Sequence, residues 1–170
     1  MSVEIQNRSP LRLVLIICIA LVLVAALWIG GMLGISGGTM FAGKRPTTIG
    51  IQASGQLAPC PNTPNCVNSQ SQDAQHKIEP LTYNSTPAEA MATLKTVIQN
   101  MERTQIIEAT ENYIYAEFTS KLMGFVDDVE FLLDEHANVI QVRSASRLGE
   151  SDLGVNRKRI ETIRAELLRH

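Results

Sequence analysis

Residues 127–146, DDVEFLLDEHANVIQVRSAS, decide the fold. On either side of the polar tract Glu135-His136-Ala137-Asn138, two runs alternate between apolar and polar residues with a period of two. That is the signature of paired strands closed by a four-residue loop. With Asp134 opposite Val139, the pairs Leu133/Ile140, Phe131/Val142, Val129/Ser144 and Asp127/Ser146 share one face. This face is apolar near the loop and polar at its far end. On the other face Glu130 opposes Arg143, which reads as a solvated cross-strand ion pair contributing about 0–1 kcal/mol.

Upstream of the hairpin, Thr104 to Ala109 and Asn112 to Thr119 read as two further strands around a tight turn at Thr110-Glu111, and Lys121 to Gly124 reads as a turn or bulge. Met91, Leu94, Ile98 and Met101 recur at helical spacing behind Thr86-Pro87-Ala88-Glu89. At that start Ser85 or Thr86 can cap, Pro87 suits the first turn and Glu89 complements the dipole. His76 to Leu81 is a short extended segment, and Val155 to Leu168, with Ile160, Ile163 and Leu167 on one side, is a terminal helix. The order β-α-β-β-β-β-α predicts an α+β fold: a mainly antiparallel sheet with two helices on one face, preceded by one N-terminal transmembrane helix.

Residues 13–35 form an uninterrupted apolar run of 23 residues, about 34 Å long as a helix and long enough to span a bilayer. A cleaved signal peptide has a shorter apolar core and a small-x-small site, so the run is expected to stay as a signal anchor, with cleavage and secretion as the alternative. The chain then divides into an N-terminal tail (1–12), the transmembrane helix (13–35), a Gly-, Ser- and Thr-rich linker (36–56) and the α+β domain (57–170). Gly30, Gly34 and Gly38 recur at a spacing that lets membrane helices approach, which leaves another membrane protein open as a partner.

Arg8 and Arg12 before the run balance Lys44 and Arg45 after it, so charge does not orient the span. Cysteine does. Cys60 and Cys66 bracket a loop restricted by prolines and are expected to form a disulfide contributing about 2–2.5 kcal/mol; half of a metal site with His76, or two free thiols, are the alternatives. Disulfides persist in oxidising compartments, which puts the domain on the periplasmic or luminal side. A formal net charge of -2 and an aromatic content of 5% argue against nucleic acid, which needs a basic field or stacking platforms. No cofactor and no metal are expected.

The tract from Arg143 to Ile160, RSASRLGESDLGVNRKRI, together with Pro59-Cys60-Pro61-Asn62-Thr63-Pro64-Asn65-Cys66, resembles the family catalogued as domain of unknown function 1499, over about Leu57 to Leu167. The resemblance implies a membrane-anchored bacterial, cyanobacterial member with the thylakoid lumen as an address beside the periplasm. It implies no established reaction, cofactor or ligand. At the polar end of the hairpin Asp127 faces the core side, where an ionised carboxylate must find partners. Asp127, Ser146, Arg147, Asp152 and Arg157 are therefore expected to form one polar cluster, either a structural lock or, with arginines beside a helix N-terminus, a site for a small anion.

These residues favour a membrane-tethered, non-cytoplasmic binding or assembly module over an enzyme. The alternative is a hydrolase built on Asp127, Ser144 or Ser146, or a carrier of a small anionic or apolar ligand. The hydrolase lacks a general base, because His76, His136 and His170 fall in a polar segment, a hairpin loop and the terminus.

Overall fold

The computed structural model describes residues 14–24 and 41–169. Their strands are β1 (Cys66–Asn68), β2 (Leu81–Thr82), β3 (Thr104–Ala109), β4 (Tyr113–Thr119), β5 (Val126–Asp134) and β6 (Val139–Ser146); the domain helices are α1 (Pro87–Asn100) and α2 (Val155–Leu167). The fold is α+β. The sheet runs β1-β6-β5-β4-β3, with β2 also on β6, and every strand pair is antiparallel. The hairpin has the register demanded by its alternation, from Asp134 opposite Val139 to Asp127 opposite Ser146. β1 was not expected: three residues between a proline-rich loop and a polar tract are too few to display a period.

Residues 14–24 are helical. Residue 13, residues 25–35 and Gly30, Gly34 and Gly38 lie outside the described residues, and no described helix is long and apolar enough to cross a membrane.

Both domain helices lie on one face. Met91, Leu94 and Ile98 of α1 and Ile160 and Ile163 of α2 pack with Ile114, Val129, Phe131, Ile140 and Val142 of the sheet into the main core. α1 starts as its sequence predicts: the Thr86 side chain accepts from the Glu89 N–H while Glu89 accepts from the Thr86 N–H, a capping box with Pro87 in the first turn. The Glu89 carboxyl sits below its ordinary 4.5 through the hydrogen bonds from the Thr86 backbone and side chain.

The second face is covered as well, which corrects the expectation of a solvated Glu130–Arg143 pair. The segment read as a linker runs over this face from Phe41 onward. Ile49 and Leu57 pack with Tyr113, Tyr115 and Leu132 in a smaller apolar cluster. Gly50 N–H donates to Glu130. Glu130 is 0% and Arg143 5% exposed. An alternating strand shows which residues share a face, but not whether a non-periodic segment elsewhere will cover that face.

Gly43 marks how closely this segment approaches. Its φ is +65°, and a Cβ there would lie 2.9 Å from the Arg147 Cβ and 3.1 Å from Leu148 Cγ. Gly43→Ala is therefore expected to cost about 1–3 kcal/mol, from the left-handed backbone and the displaced neighbours together. Urea unfolding checks this: the midpoint should fall while the slope stays unchanged.

Candidate functional site

The five residues expected to form one cluster are divided by the pleat. Asp127 and Ser146 point to the helix face, and Arg147, one residue beyond Ser146, points to the other. On the helix face the partner of Asp127 is Arg159 of α2, whose Nη2 donates to Asp127 Oδ2 at 2.5 Å. Arg159 Nη1 donates to Asn156 Oδ1 and Ser144 Oγ, and its guanidinium lies 4.7 Å over the Phe118 ring. Asn156, fully buried, accepts from Ser144 Oγ at 2.6 Å and donates to Ser146 Oγ and the Asn65 carbonyl. These bonds tie the end of β6, the start of α2 and the residue before β1 into one buried polar knot.

Asp152 serves the helix start. Its carboxylate accepts from the N–H groups of Gly154 and Asn156 at 3.0 and 2.7 Å, satisfying donors that an α-helix leaves unpaired. Arg157 stands apart from the knot and donates to the Gln75 carbonyl. Sequence proximity points to Arg147 and Arg157 as partners for Asp127, but pleat parity excludes the first and helical phase the second.

On the second face Arg147 grips Asp128, with Nε at 2.9 Å from Oδ2 and Nη2 at 2.6 Å from Oδ1. Its Nη2 also reaches Glu117 and the Tyr115 hydroxyl, and the Tyr115 hydroxyl donates to Asp128 at 2.6 Å. Arg45 of the covering segment closes the network on Glu117 at 2.5 Å. A second network centres on Glu130, which accepts from Arg143, the Tyr113 hydroxyl and Gly50 N–H. Glu117, Asp128, Glu130, Tyr115 and Arg45 were not among the expected site residues.

The surroundings fix charge states. Burial pushes the Glu117 carboxyl up, but hydrogen bonds from Arg45, Arg147 and Tyr115 outweigh it and leave the group below its ordinary 4.5. Its stabilising effect is full above pH 4.5 and is lost as the pH falls through the depressed value. Glu117→Gln should thus flatten, without abolishing, the fall in urea midpoint between about pH 5 and about pH 3, since Glu89 retains its own share. Burial also raises the Tyr113 and Tyr115 hydroxyls, reinforced by Glu130 and Asp128 respectively. An unfolded tyrosine ionises near 10.0, so stability declines as the pH rises beyond it. Tyrosinate absorbance should show neither hydroxyl ionising before the chain unfolds.

Cys60 and Cys66 are bridged, with Cα atoms 5.7 Å apart. The loop they close is clasped by His76, buried, with Nδ1 2.6 Å from Asp73 and Nε2 3.1 Å from the Thr63 carbonyl. Among the described residues no group of His, Cys, Asp and Glu is arranged to hold a metal ion.

One cleft of 320 Å³ has the mixed lining of a small-molecule site. Ala90, Ile140, Leu167 and Leu168 supply apolar walls, and Tyr83, Asn84, Ser85 and Thr93 supply polar groups. The Tyr83 hydroxyl is one of two buried side-chain polar atoms without a hydrogen-bond partner among the described residues, the other being Arg143 Nε.

A family model described as Protein of unknown function (DUF1499) matches residues 56–167. No curated protein and no solved structure matches the chain.

Proposed function

The chain belongs to the DUF1499 family, and from that premise we propose that it is a membrane-tethered binding module displayed in a non-cytoplasmic compartment, the periplasm or, in a cyanobacterial cell, the thylakoid lumen. The apolar run at residues 13–35 supports the tether, and the Cys60–Cys66 bridge supports an oxidising address. The observation that carries the binding role is the cleft lined by Tyr83: its walls mix apolar side chains with several polar ones, and Tyr83 carries a buried hydroxyl without a partner among the described residues, which suits a small amphipathic ligand able to form hydrogen bonds.

An anion site at the expected cluster has less support, because Arg147 is engaged by Asp128 and Glu117, Arg157 donates to the Gln75 carbonyl, and Arg159 is engaged by Asp127. A hydrolase built on Asp127, Ser144 or Ser146 has less support, because the Ser144 hydroxyl is buried and donated to Asn156, Ser146 Oγ accepts from Asn156 and Asp127 is engaged by Arg159.

Native mass spectrometry of the full chain, released from its own membranes in mild detergent, tests the binding role. The wild type should carry a small-molecule adduct that denaturation releases, and Thr93→Trp, filling the cleft from its rim, should lose it. A bare wild-type mass, or an adduct retained by Thr93→Trp, would overturn the assignment.

A further inference from the structure

We infer that the end of the domain made by the β4–β5 turn and the β6–α2 loop docks on the lipid surface, its apolar tips entering the bilayer interface. This rests on the membrane tether proposed above. Leu122 in the first loop and Leu153 in the second are each 94% exposed, and Met123, Leu148 and Val155 are exposed beside them. A lone exposed leucine needs no explanation, but four apolar side chains on two adjoining loops, with Val155 at the start of α2, do.

The loops adjoin because Thr119 pairs with Val126, Asp127 pairs with Ser146, and Arg147 N–H donates to the Val126 carbonyl. The opposite end of the hairpin, Glu135 to Asn138, is polar.

The choice of occupant follows from where the chain enters. Phe41 stacks on Phe125 of the first loop, with ring centroids 5.3 Å apart, and Gly43 lies against Arg147 and Leu148 of the second. Between Ile35, the last residue of the apolar run, and Phe41 the chain reaches about 20 Å at full extension. The chain thus enters the domain at this end, so a bilayer holding the apolar run is a surface that these loops can reach. Leucine and methionine at loop tips are the side chains that partition into its interface. With Arg45 and Arg147 paired to Glu117 and Asp128, Lys44 and Lys121 balance Glu150 and Asp152, so the docking is apolar and takes a neutral lipid surface.

The test uses the full chain in phosphatidylcholine vesicles. Cys18→Ser removes the free thiol, the Cys60–Cys66 bridge stays intact, and a spin label is placed singly through Leu122→Cys, Leu153→Cys, Ala137→Cys or Val22→Cys. Power saturation compares collisions with oxygen and with a water-soluble nickel chelate. Labels at 122 and 153 should favour oxygen at interfacial depth, the label at 137 should favour the chelate, and the label at 22 should lie in the hydrocarbon. Labels at 122 and 153 as aqueous as that at 137, with 22 still in the hydrocarbon, would overturn the docking and leave the tether standing. An aqueous label at 22 would overturn the tether and the docking together.

Discussion

Arg147→Ala should lower the stability of the domain by about 3–5 kcal/mol, the range for removing one member of a buried ion pair. The guanidinium makes two hydrogen bonds to Asp128 and reaches Glu117 and Tyr115. Asp128 is almost completely buried, so without Arg147 its carboxylate keeps the desolvation cost and only the Tyr115 hydroxyl as a donor. In a domain of this size the thermal midpoint should fall on the order of 10–20 °C. Replacing both partners, Arg147→Met with Asp128→Leu, should recover part of the loss, because the penalty lies in the orphaned charge rather than in the absence of the pair. Phosphate or sulfate at matched ionic strength should move wild type and variant equally, since the arginine is already engaged by carboxylates. Denaturant and thermal melts of the wild type and the two variants measure all of this.

Arg159→Ala should be comparably damaging, at about 3–5 kcal/mol, and Arg157→Ala should stay within about 0.5 kcal/mol. Arg159 neutralises Asp127 on the helix face and holds Ser144 and Asn156 in the same knot, whereas Arg157 meets a single backbone carbonyl. The contrast between two arginines two residues apart on α2, and so on opposite sides of the helix, is what the geometry demands. Equal effects would mean that Asp127 is neutralised elsewhere.

Much of this was legible in the sequence. A strand alternates strictly, so the pairing from Asp134/Val139 to Asp127/Ser146 could be read from residue types alone, and with it the need of Asp127 for a buried partner. Nearness in sequence points to Arg147 as that partner, but parity points elsewhere. If Ser146 faces the helices, Arg147 faces away, toward Asp128. The signal for Arg159 was also present: with Asn156, Ile160 and Ile163 it repeats at three- and four-residue spacing along the buried stripe of α2. Burial of the Glu130–Arg143 pair had no such signal, because residues 41–57 cover it without periodicity. The Tyr83 cleft was hidden for the same reason, since its walls come from β2, α1, β6 and α2 and meet only in the folded chain.

Protease protection tests the proposed display of the domain beyond the membrane most directly. In sealed vesicles with the cytoplasmic face outward, the domain of the full chain should survive added protease at its full size and be digested once detergent opens the vesicles. Digestion of the domain before detergent is added would contradict the account.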